Sequence, residues 1–458
     1  MMKSLRDMKI HIIGIGGTGM APIAVVLHEM GTAVSGSDRS ESIYTQVLRS
    51  KGISVSVPQK AENIADPDYV FYSSAIHDDN PELAEARRKG IPTLKRREFL
   101  GLVLRGRKTV AIAGSHGKST TTSMTAWVLA SLGLEPGFIV GSNMKDLGKI
   151  ASAGKSDWFV IEADEYDNMF LGLEPYAAAL TKVEYDHPDC FPTQDSYLEA
   201  FGKFLGNSRK DGLILLNGDD PKQSTLPLPE DRRICRYGLG ENCDFRGTDL
   251  MIGENGCYSY QFTAEGQKIP VTLQIPGKHN VSNSLLVMSL CAAFGLDLIQ
   301  AAEAIGTFHG IGRRFEIVGN WNGITLIDDY AHHPTEIKAT LEAAREFFPG
   351  RRIRAIWQPH TYSRTRSLLS EFCRSFVNAD EVIVTDIYAA REDFAGFGIE
   401  NVLESMEHPC VHHKKGNREI AEYLAGSLRS GDVVVTLSAG DANQAAPMAL
   451  EMLKNAEH

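Results

Sequence analysis

The stretch Lys108–Thr120, KTVAIAGSHGKST, decides how this chain is read. A short apolar run ends in a glycine-rich turn. A segment follows with Met124, Trp127, Val128 and Leu132 at helical spacing, and Gly133 stands where a C-cap belongs. Strand, turn and helix in that order aim backbone N–H groups and the positive end of a helix at a phosphate. The turn is Gly114, Ser115, His116, Gly117, Lys118, Ser119 and Thr120. Lys118 supplies a point charge, and the Ser119 hydroxyl can join a Mg2+ shell. Position 112 is Ile, so the first glycine of GxxxxGK[ST] comes two residues late. A chance glycine-rich turn is the bland alternative; the context and the GKS core favour ATP.

Downstream, the apolar strand WFVIEA ends on Glu162 and opens EADE. A carboxylate at the C-terminal end of a buried strand, beside a phosphate loop, is placed to hold Mg2+. The next strand, AAALTKV, leads to Asp186-His187. A lone histidine after a strand is more often structural than a ligand. Its place after the loop and the acidic strand end favours the metal reading.

Upstream, the strand KIHIIG precedes Gly14, Gly16 and Gly19, with Asp38 near the end of a second strand. GxGxxG in that setting suggests a dinucleotide fold and NAD, or any other pyrophosphate. Glycines needed only for tight helix–strand packing are the alternative. An ATP loop in the same chain shifts the reading to a nucleotide-linked substrate. The basic stretch Lys95–Arg107 reads as a solvated connection.

Towards the C-terminus, the strand GITLIDD runs into Asp328-Asp329-Tyr330-Ala331-His332-His333-Pro334. A helix follows with Ile337, Leu341, Ala344 and Phe348 on one face. The strand RIRAIWQP runs into QPHTYSRTR, residues 358–366. Both motifs fall at strand ends, where open α/β sheets bind ligands. The two arginines can clamp a carboxylate or phosphate, although an exposed first turn suits Arg366 equally well. Strands DEVIVTD and DVVVTL alternate with helices near 364–377, 417–428 and 443–453. Residues 218–275 read as a β-rich insertion.

The length, 458 residues, suggests about three domains. Hydrophobic residues at 43% and charged residues at 23% give an ordinary globular balance. The net charge of −11 argues against a nucleic-acid or anionic-membrane binder driven by bulk charge. It leaves room for local cationic pockets. No apolar run approaches the roughly 18 residues that span a bilayer. The N-terminal apolar run is broken by glycines and reads as a first strand, not a signal peptide. Seven cysteines without CxxC spacing indicate a reduced, cytoplasmic protein with no cysteine-based zinc site.

Taken together, GIGGTGM, VSGSD, GSHGKSTTT, EADE, DDYAHHPTE and QPHTYSRTR resemble the Mur ligase family, in the family's order and over essentially the whole chain. Members are ATP-dependent amide-forming enzymes of peptidoglycan precursor synthesis. The C-terminal motifs resemble the alanine-adding branch. The resemblance implies three α/β domains: a Rossmann-like UDP-sugar domain over residues 1–106, a P-loop ATPase-type domain over 107–312, and a Rossmann-like amino-acid domain over 313–458. It implies that L-alanine is joined to the carboxylate of UDP-N-acetylmuramate through an acyl phosphate, with ATP and Mg2+. Addition of a murein tripeptide, or a nucleotide-binding protein without ligase activity, are the alternatives.

Residue by residue, the resemblance puts Lys118 and the loop around Gly117 on the ATP phosphates. Ser119 and Glu162 hold one Mg2+, and Glu162 and His187 a second. His279, Asn280 and Asn283 line the nucleotide site, with Arg314 and Asp329 approaching from the C-terminal domain. Gly16, Gly17, Thr18, Gly19, Asp38, Ser73 and Ser74 contact the UDP part. Tyr330, His332 and Arg366 are candidates for the amino acid, with Lys118, Glu162, His187 and His332 as catalytic candidates. Glu165-Tyr166-Asp167 departs from the family's Glu-Ser-Asp, and Arg391 stands where Gly is usual. A monomer or weak homodimer without nucleic-acid partner or membrane insertion is expected.

Overall fold

The computed structural model describes residues 5–390, 392–394 and 396–456; Arg391 lies outside them. The chain divides into two compact units. The first comprises Met1–Glu184, Asp195–Arg246 and Leu286–Ala304, and the second Tyr185–Gln194, Gly247–Leu285 and Ile305–His458.

The first unit opens with strands β1 (Lys9–Ile13), β2 (Ala33–Ser37), β3 (Ser54–Ser56), β4 (Tyr69–Tyr72) and β5 (Thr93–Lys95). They form a parallel sheet in the order β3-β2-β1-β4-β5. Ile10, Ile12 and Ile13 are buried, as expected of a parallel strand covered on both faces. The glycine-rich turn after β1 leads into helix α1 (Ala21–Glu29), with Pro22 in its first turn, where a missing N–H costs nothing.

The basic stretch Lys95–Arg107 is not a solvated connection. It folds as helix α2 (Arg96–Val103), started by the Lys95 N–H donating to Glu98 Oε2 at 2.7 Å. Phe99, Leu100, Val103 and Leu104 are buried, and Phe99 stacks on Phe71 with ring centroids 4.1 Å apart. The charges that suggested a linker sit on the outer face of an amphipathic helix, at Arg97 and Glu98.

The other strands of this unit are β6 (Lys108–Ala113), β7 (Gly137–Ile139), β8 (Ala151–Ser152), β9 (Trp158–Glu162), β10 (Ala177–Leu180), β11 (Leu213–Asn217) and β12 (Arg233–Gly238). Their order is β12-β11-β10-β6-β9-β7-β8, parallel except for the β7/β8 pair. Between β6 and β9 the strand order reverses direction, and helix α3 (Lys118–Ser131) starts there. That switch point is where doubly wound sheets take ligands.

The second unit contains the antiparallel hairpin β13 (Cys257–Ala264) and β14 (Gln267–Pro276), within the stretch expected to be β-rich. Its main sheet is built from β15 (Glu316–Trp321), β16 (Ile324–Asp329), β17 (Ile353–Trp357), β18 (Glu381–Val384), β19 (Val411–His413) and β20 (Val433–Leu437), in the order β15-β16-β20-β17-β18-β19. Only β15 is antiparallel. One face packs Ile327, Trp357 and Val435 under helix α4 (Pro334–Phe347) through Ile337, Leu341 and Ala344. The opposite face packs Leu326, Ile356 and Val434 against Ile420, Leu424 and Ala449. The helix expected over 364–377 is two short helices, α5 (Tyr362–Ser367) and Leu369–Cys373. Leu368 leaves helical geometry at φ −114° and ψ 22°, and the chain turns so that Phe372 and Phe376 meet Trp357.

Candidate active site

In the first unit the loop does what its sequence requires. Gly114 and Gly117 adopt φ of 134° and 83°, and Gly117 is the N-cap of α3. A side chain on Gly114 would collide with Thr181 Oγ1, so the residue is bound to be glycine. The Ser115 hydroxyl is 2.8 Å from Tyr197 Oη and accepts the Glu184 N–H at 2.7 Å. His116 Nε2 lies 3.1 Å from Glu184 Oε2. These two loop side chains therefore tie the turn to the segments after β10. Thr120 is buried in the first turn of α3.

Lys118 Nζ donates to Gly114 O at 2.5 Å and lies 2.8 Å from Glu165 Oε2. Burial alone would lower this ammonium's pKa. Glu165, Asp164 and Glu162 outweigh it and hold the group above the ordinary lysine value. Glu162, at the end of β9, and Ser119, in the first turn of α3, converge over Gly141. A Cβ there would press on Glu162 Oε2 and stand 2.9 Å from Ser119 Oγ. That small cradle, bounded by a carboxylate and a hydroxyl, matches the oxygen donors a Mg2+ ion takes.

The glycine-rich turn after β1 is also in this unit. Gly17 and Thr18 are exposed. The Gly16 N–H donates to Asp38 Oδ2 at 2.9 Å, so Asp38 holds the turn itself. Ser73 and Ser74 follow β4 at the same edge of the sheet; Ser73 lies against Gly14, and Ser74 is exposed. Arg96, unmarked in the sequence reading, packs its guanidinium over Gly19, where an added Cβ would lie 2.7 Å from Nη1. Its Nε is buried with no hydrogen-bond partner among the described residues. Burial lowers the pKa of this guanidinium, against the pull of Asp164 and Glu162.

The second unit carries the other candidates. His187 has φ 56°, and its N–H donates to Asp186 Oδ1 at 2.7 Å. Arg364 Nε donates to Asp186 Oδ1 at 3.0 Å, and both side chains are buried. Burial would raise the Asp186 carboxyl; the Arg364 guanidinium outweighs that and holds it well below the usual carboxylate range. Arg366 is exposed and faces a surface concavity with Glu371 and Glu407. Of the two arginines in QPHTYSRTR, Arg364 is therefore the one built into the polar cluster. No feature of the motif alone separates them.

The His332 ring lies 5.8 Å from His360 and 5.5 Å from Tyr330, centroid to centroid. Its Nδ1 is 3.0 Å from Tyr330 O and 3.3 Å from Glu336 Oε2. Burial pushes the His332 imidazole down to about 3, against the pull of Glu336. Arg314 Nη1 lies 3.3 Å from Glu336 Oε1, and its guanidinium is 5.5 Å from the Tyr330 ring. Asp329 accepts N–H groups from Phe315 and Ala331, each at 2.8 Å, and burial raises its carboxyl to about 6. Asn280 donates to Pro276 O at 2.7 Å and accepts from Asn283 at 2.9 Å, next to His279.

A parallel sheet with a phosphate loop at its switch point, and with Ser119 and Glu162 converging beside it, defines a nucleotide-phosphate-binding α/β enzyme. Comparison with known proteins narrows the class. Residues 9–108 match the model of the Mur ligase family catalytic domain, 112–291 the Mur ligase middle domain, and 313–440 the Mur ligase glutamate ligase domain. The chain is 41% identical to a UDP-N-acetylmuramate–L-alanine ligase of Caldanaerobacter subterraneus subsp. tengcongensis, over 94% of this chain and 95% of that protein. It is 39% identical to the same ligase of Alkaliphilus metalliredigens, over 96% of each. Among solved structures it is similar to the UDP-N-acetylmuramate–alanine ligase of Thermotoga maritima, with a TM-score of 0.82 and 29% identity over 98% of this chain and 100% of that one. A murein peptide ligase of Psychrobacter arcticus gives a TM-score of 0.73 and 25% identity, over 98% of this chain and 99% of that one. The chain belongs to the Mur ligase family, a family of ATP-dependent ligases.

Proposed function

We propose that the chain joins L-alanine to the carboxylate of UDP-N-acetylmuramate, with cleavage of ATP to ADP and phosphate, in the synthesis of peptidoglycan precursors. The observation that carries this reading is the 41% identity to an alanine-adding ligase over 94% of the chain. Residues 1–106 take the UDP-sugar, 107–312 the ATP and 313–458 the amino acid. Among the described residues no helix is long and apolar enough to cross a membrane. We place the reaction in the cytoplasm, in a monomer or weak homodimer.

A carboxylate resists attack by an amine because its charge repels the nucleophile. The muramoyl carboxylate therefore first attacks the γ-phosphorus, ADP leaves, and an acyl phosphate forms. The alanine nitrogen then attacks the acyl carbon, and phosphate departs with the former carboxylate oxygen. Lys118 and the N–H groups of the loop hold the transferring phosphoryl group, since positioning and charge neutralisation dominate this chemistry. Ser119 and Glu162 would hold Mg2+, with His187 contributing to a second ion; bound there, the metal supplies charge neutralisation at the phosphates. His279, Asn280, Asn283, Arg314 and Asp329 serve the nucleotide. Gly16, Gly17, Thr18, Gly19, Ser73 and Ser74 serve the UDP part, with Asp38 shaping the turn. Tyr330 and His332 serve the amino acid with an arginine of QPHTYSRTR, and the buried position of Arg364 favours it over Arg366. His332, kept neutral by its burial, adds no positive charge that would repel the incoming ammonium.

The test is phosphate release from ATP with UDP-N-acetylmuramate and a panel of amines. Release that requires L-alanine supports the reading. Release with a murein tripeptide but not with alanine would replace it by tripeptide addition, and no release with any amine would remove both.

A further inference from the structure

Glu165 belongs to no role assigned above, yet it is the closest charged partner of the phosphate-loop lysine. It follows the first residue of α3 by 47 positions in sequence, and its carboxylate reaches Lys118 Nζ with both oxygens, at 2.9 Å and 2.8 Å. Its side chain is 1% exposed. Tyr197 Oη is 3.4 Å from Glu165 Oε1 and 2.8 Å from Ser115 Oγ, so the carboxylate is anchored to the loop by a second route. A buried carboxylate with two oxygens on an ammonium, fixed by a buried tyrosine, imitates an anionic phosphate edge at the spot where Lys118 meets ATP.

We infer that Glu165 is a placeholder for the terminal phosphates of ATP: it holds the Lys118 side chain aimed into the loop while the site is empty, and it is displaced from that ammonium when nucleotide binds. The inference rests on the reading of the loop as the ATP site. The physical need is plain. A half-buried ammonium without an anionic partner would turn away from the loop towards water. A fixed carboxylate with both oxygens on the ammonium holds it in the geometry a phosphate later takes. The consequence is competition. Nucleotide must displace a charge-assisted ion pair, so the wild-type protein binds ATP less tightly than its loop allows.

The experiment measures binding of β,γ-methylene-ATP with Mg2+ by titration calorimetry to the full chain and to the variants Glu165→Gln, Glu165→Asp and Lys118→Ala, with melting curves for each. Glu165→Gln binds the analogue about tenfold more tightly, equivalent to about 1.4 kcal/mol, and its KM for ATP falls in parallel. Damage to the site would raise KM or leave it unchanged. Glu165→Asp retracts the carboxylate by one methylene yet keeps the charge that balances Lys118 in the fold. It shifts affinity in the same direction by a smaller factor, and it carries the test where the neutral variant does not fold. Equal or weaker binding by the folded Glu165 variants overturns the placeholder role. If the wild-type chain ignores the analogue, or Lys118→Ala binds it equally well, the loop reading itself fails, and the two failures are distinguishable.

Discussion

Substituting Gly141 by alanine tests the metal cradle directly. Gly141 is exposed and is not among the residues with positive φ, so alanine fits its backbone. The change costs little in folding; loss of glycine freedom in the unfolded chain contributes about 0.4–1 kcal/mol of stability. The local effect is different. The new methyl would stand 2.9 Å from Ser119 Oγ and closer still to Glu162 Oε2, where about 3.3 Å is the near limit for carbon and oxygen. Ser119 Oγ must retreat by roughly 0.4 Å and the carboxylate by more, against a tolerance of about 0.2 Å in metal–ligand distances. Displacing ligands in this way weakens metal binding by about 10- to 100-fold, or about 1.4–2.7 kcal/mol. The assay is phosphate release against Mg2+ concentration at saturating substrates. The activation midpoint rises by that factor, and excess Mg2+ restores much of the rate. An unchanged midpoint in a folded Gly141→Ala variant would refute the assignment of Ser119 and Glu162 to the metal.

Four further outcomes follow from named contacts. Lys118→Ala abolishes phosphate release yet binds UDP-N-acetylmuramate within about threefold of wild type by calorimetry, since one uniform 1.4 kcal/mol step would already be tenfold. Arg364→Lys breaks the buried guanidinium contact to Asp186 and raises KM for alanine at least about tenfold, whereas Arg366→Lys leaves it unchanged; steady-state kinetics of the pair decide. Arg354→Met removes the fully buried guanidinium from Glu381 and leaves that carboxylate Arg352 and the Tyr423 hydroxyl, and it lowers unfolding free energy in urea by about 1–3 kcal/mol. Burial pushes the folded His332 imidazole down to about 3, from an ordinary 6.5. Its stabilisation is therefore present above pH 6.5 and is lost as pH falls towards 3. The unfolding free energy in urea drops as pH falls from 6.5 to 4.5, by up to about 2.7 kcal/mol from this group, and the pH slope is shallower in His332→Gln.

Apolar periodicity carried the fold well because parallel strands are buried on both faces. KTVAIA, WFVIE, LILLN and VVVTL each appear as continuous runs, and each is a strand. The same logic failed at Lys95–Arg107, where an eight-residue helix hides its apolar stripe of Phe99, Leu100 and Val103 among five basic residues. The loop residues were legible because a glycine-rich turn acts through its own backbone. Partners supplied by distant segments were not: Glu165 on Lys118, Arg96 on Gly19 and Asp186 on Arg364 pair residues 47, 77 and 178 positions apart. Arg364 and Arg366 show the limit sharply. Two positions on an α-helix are separated by about 200° of rotation, so one arginine is buried on Asp186 and the other faces solvent, although the motif offers both alike.

The charge balance around the loop adds a constraint that the net charge of −11 only hinted at. Lys118 faces Glu162, Asp164 and Glu165, and Arg96 feels Glu162 and Asp164 from the other side. Three carboxylates against two cations leave this site negative before any nucleotide enters. A polyanionic triphosphate cannot gain from such a field unless carboxylate charge is neutralised or moved away. The helix N-terminus contributes about half a positive charge, which does not reverse the sign. Divalent cations on Glu162 and release of Glu165 from Lys118 are the two changes that would. ATP affinity should therefore depend steeply on Mg2+ in the wild-type chain and less steeply in Glu165→Gln, where one of the three carboxylates is already gone. Titration of the nonhydrolysable analogue with and without Mg2+ measures this. Equal Mg2+ dependence in the two proteins would mean that the carboxylates around Lys118 do not share one electrostatic site.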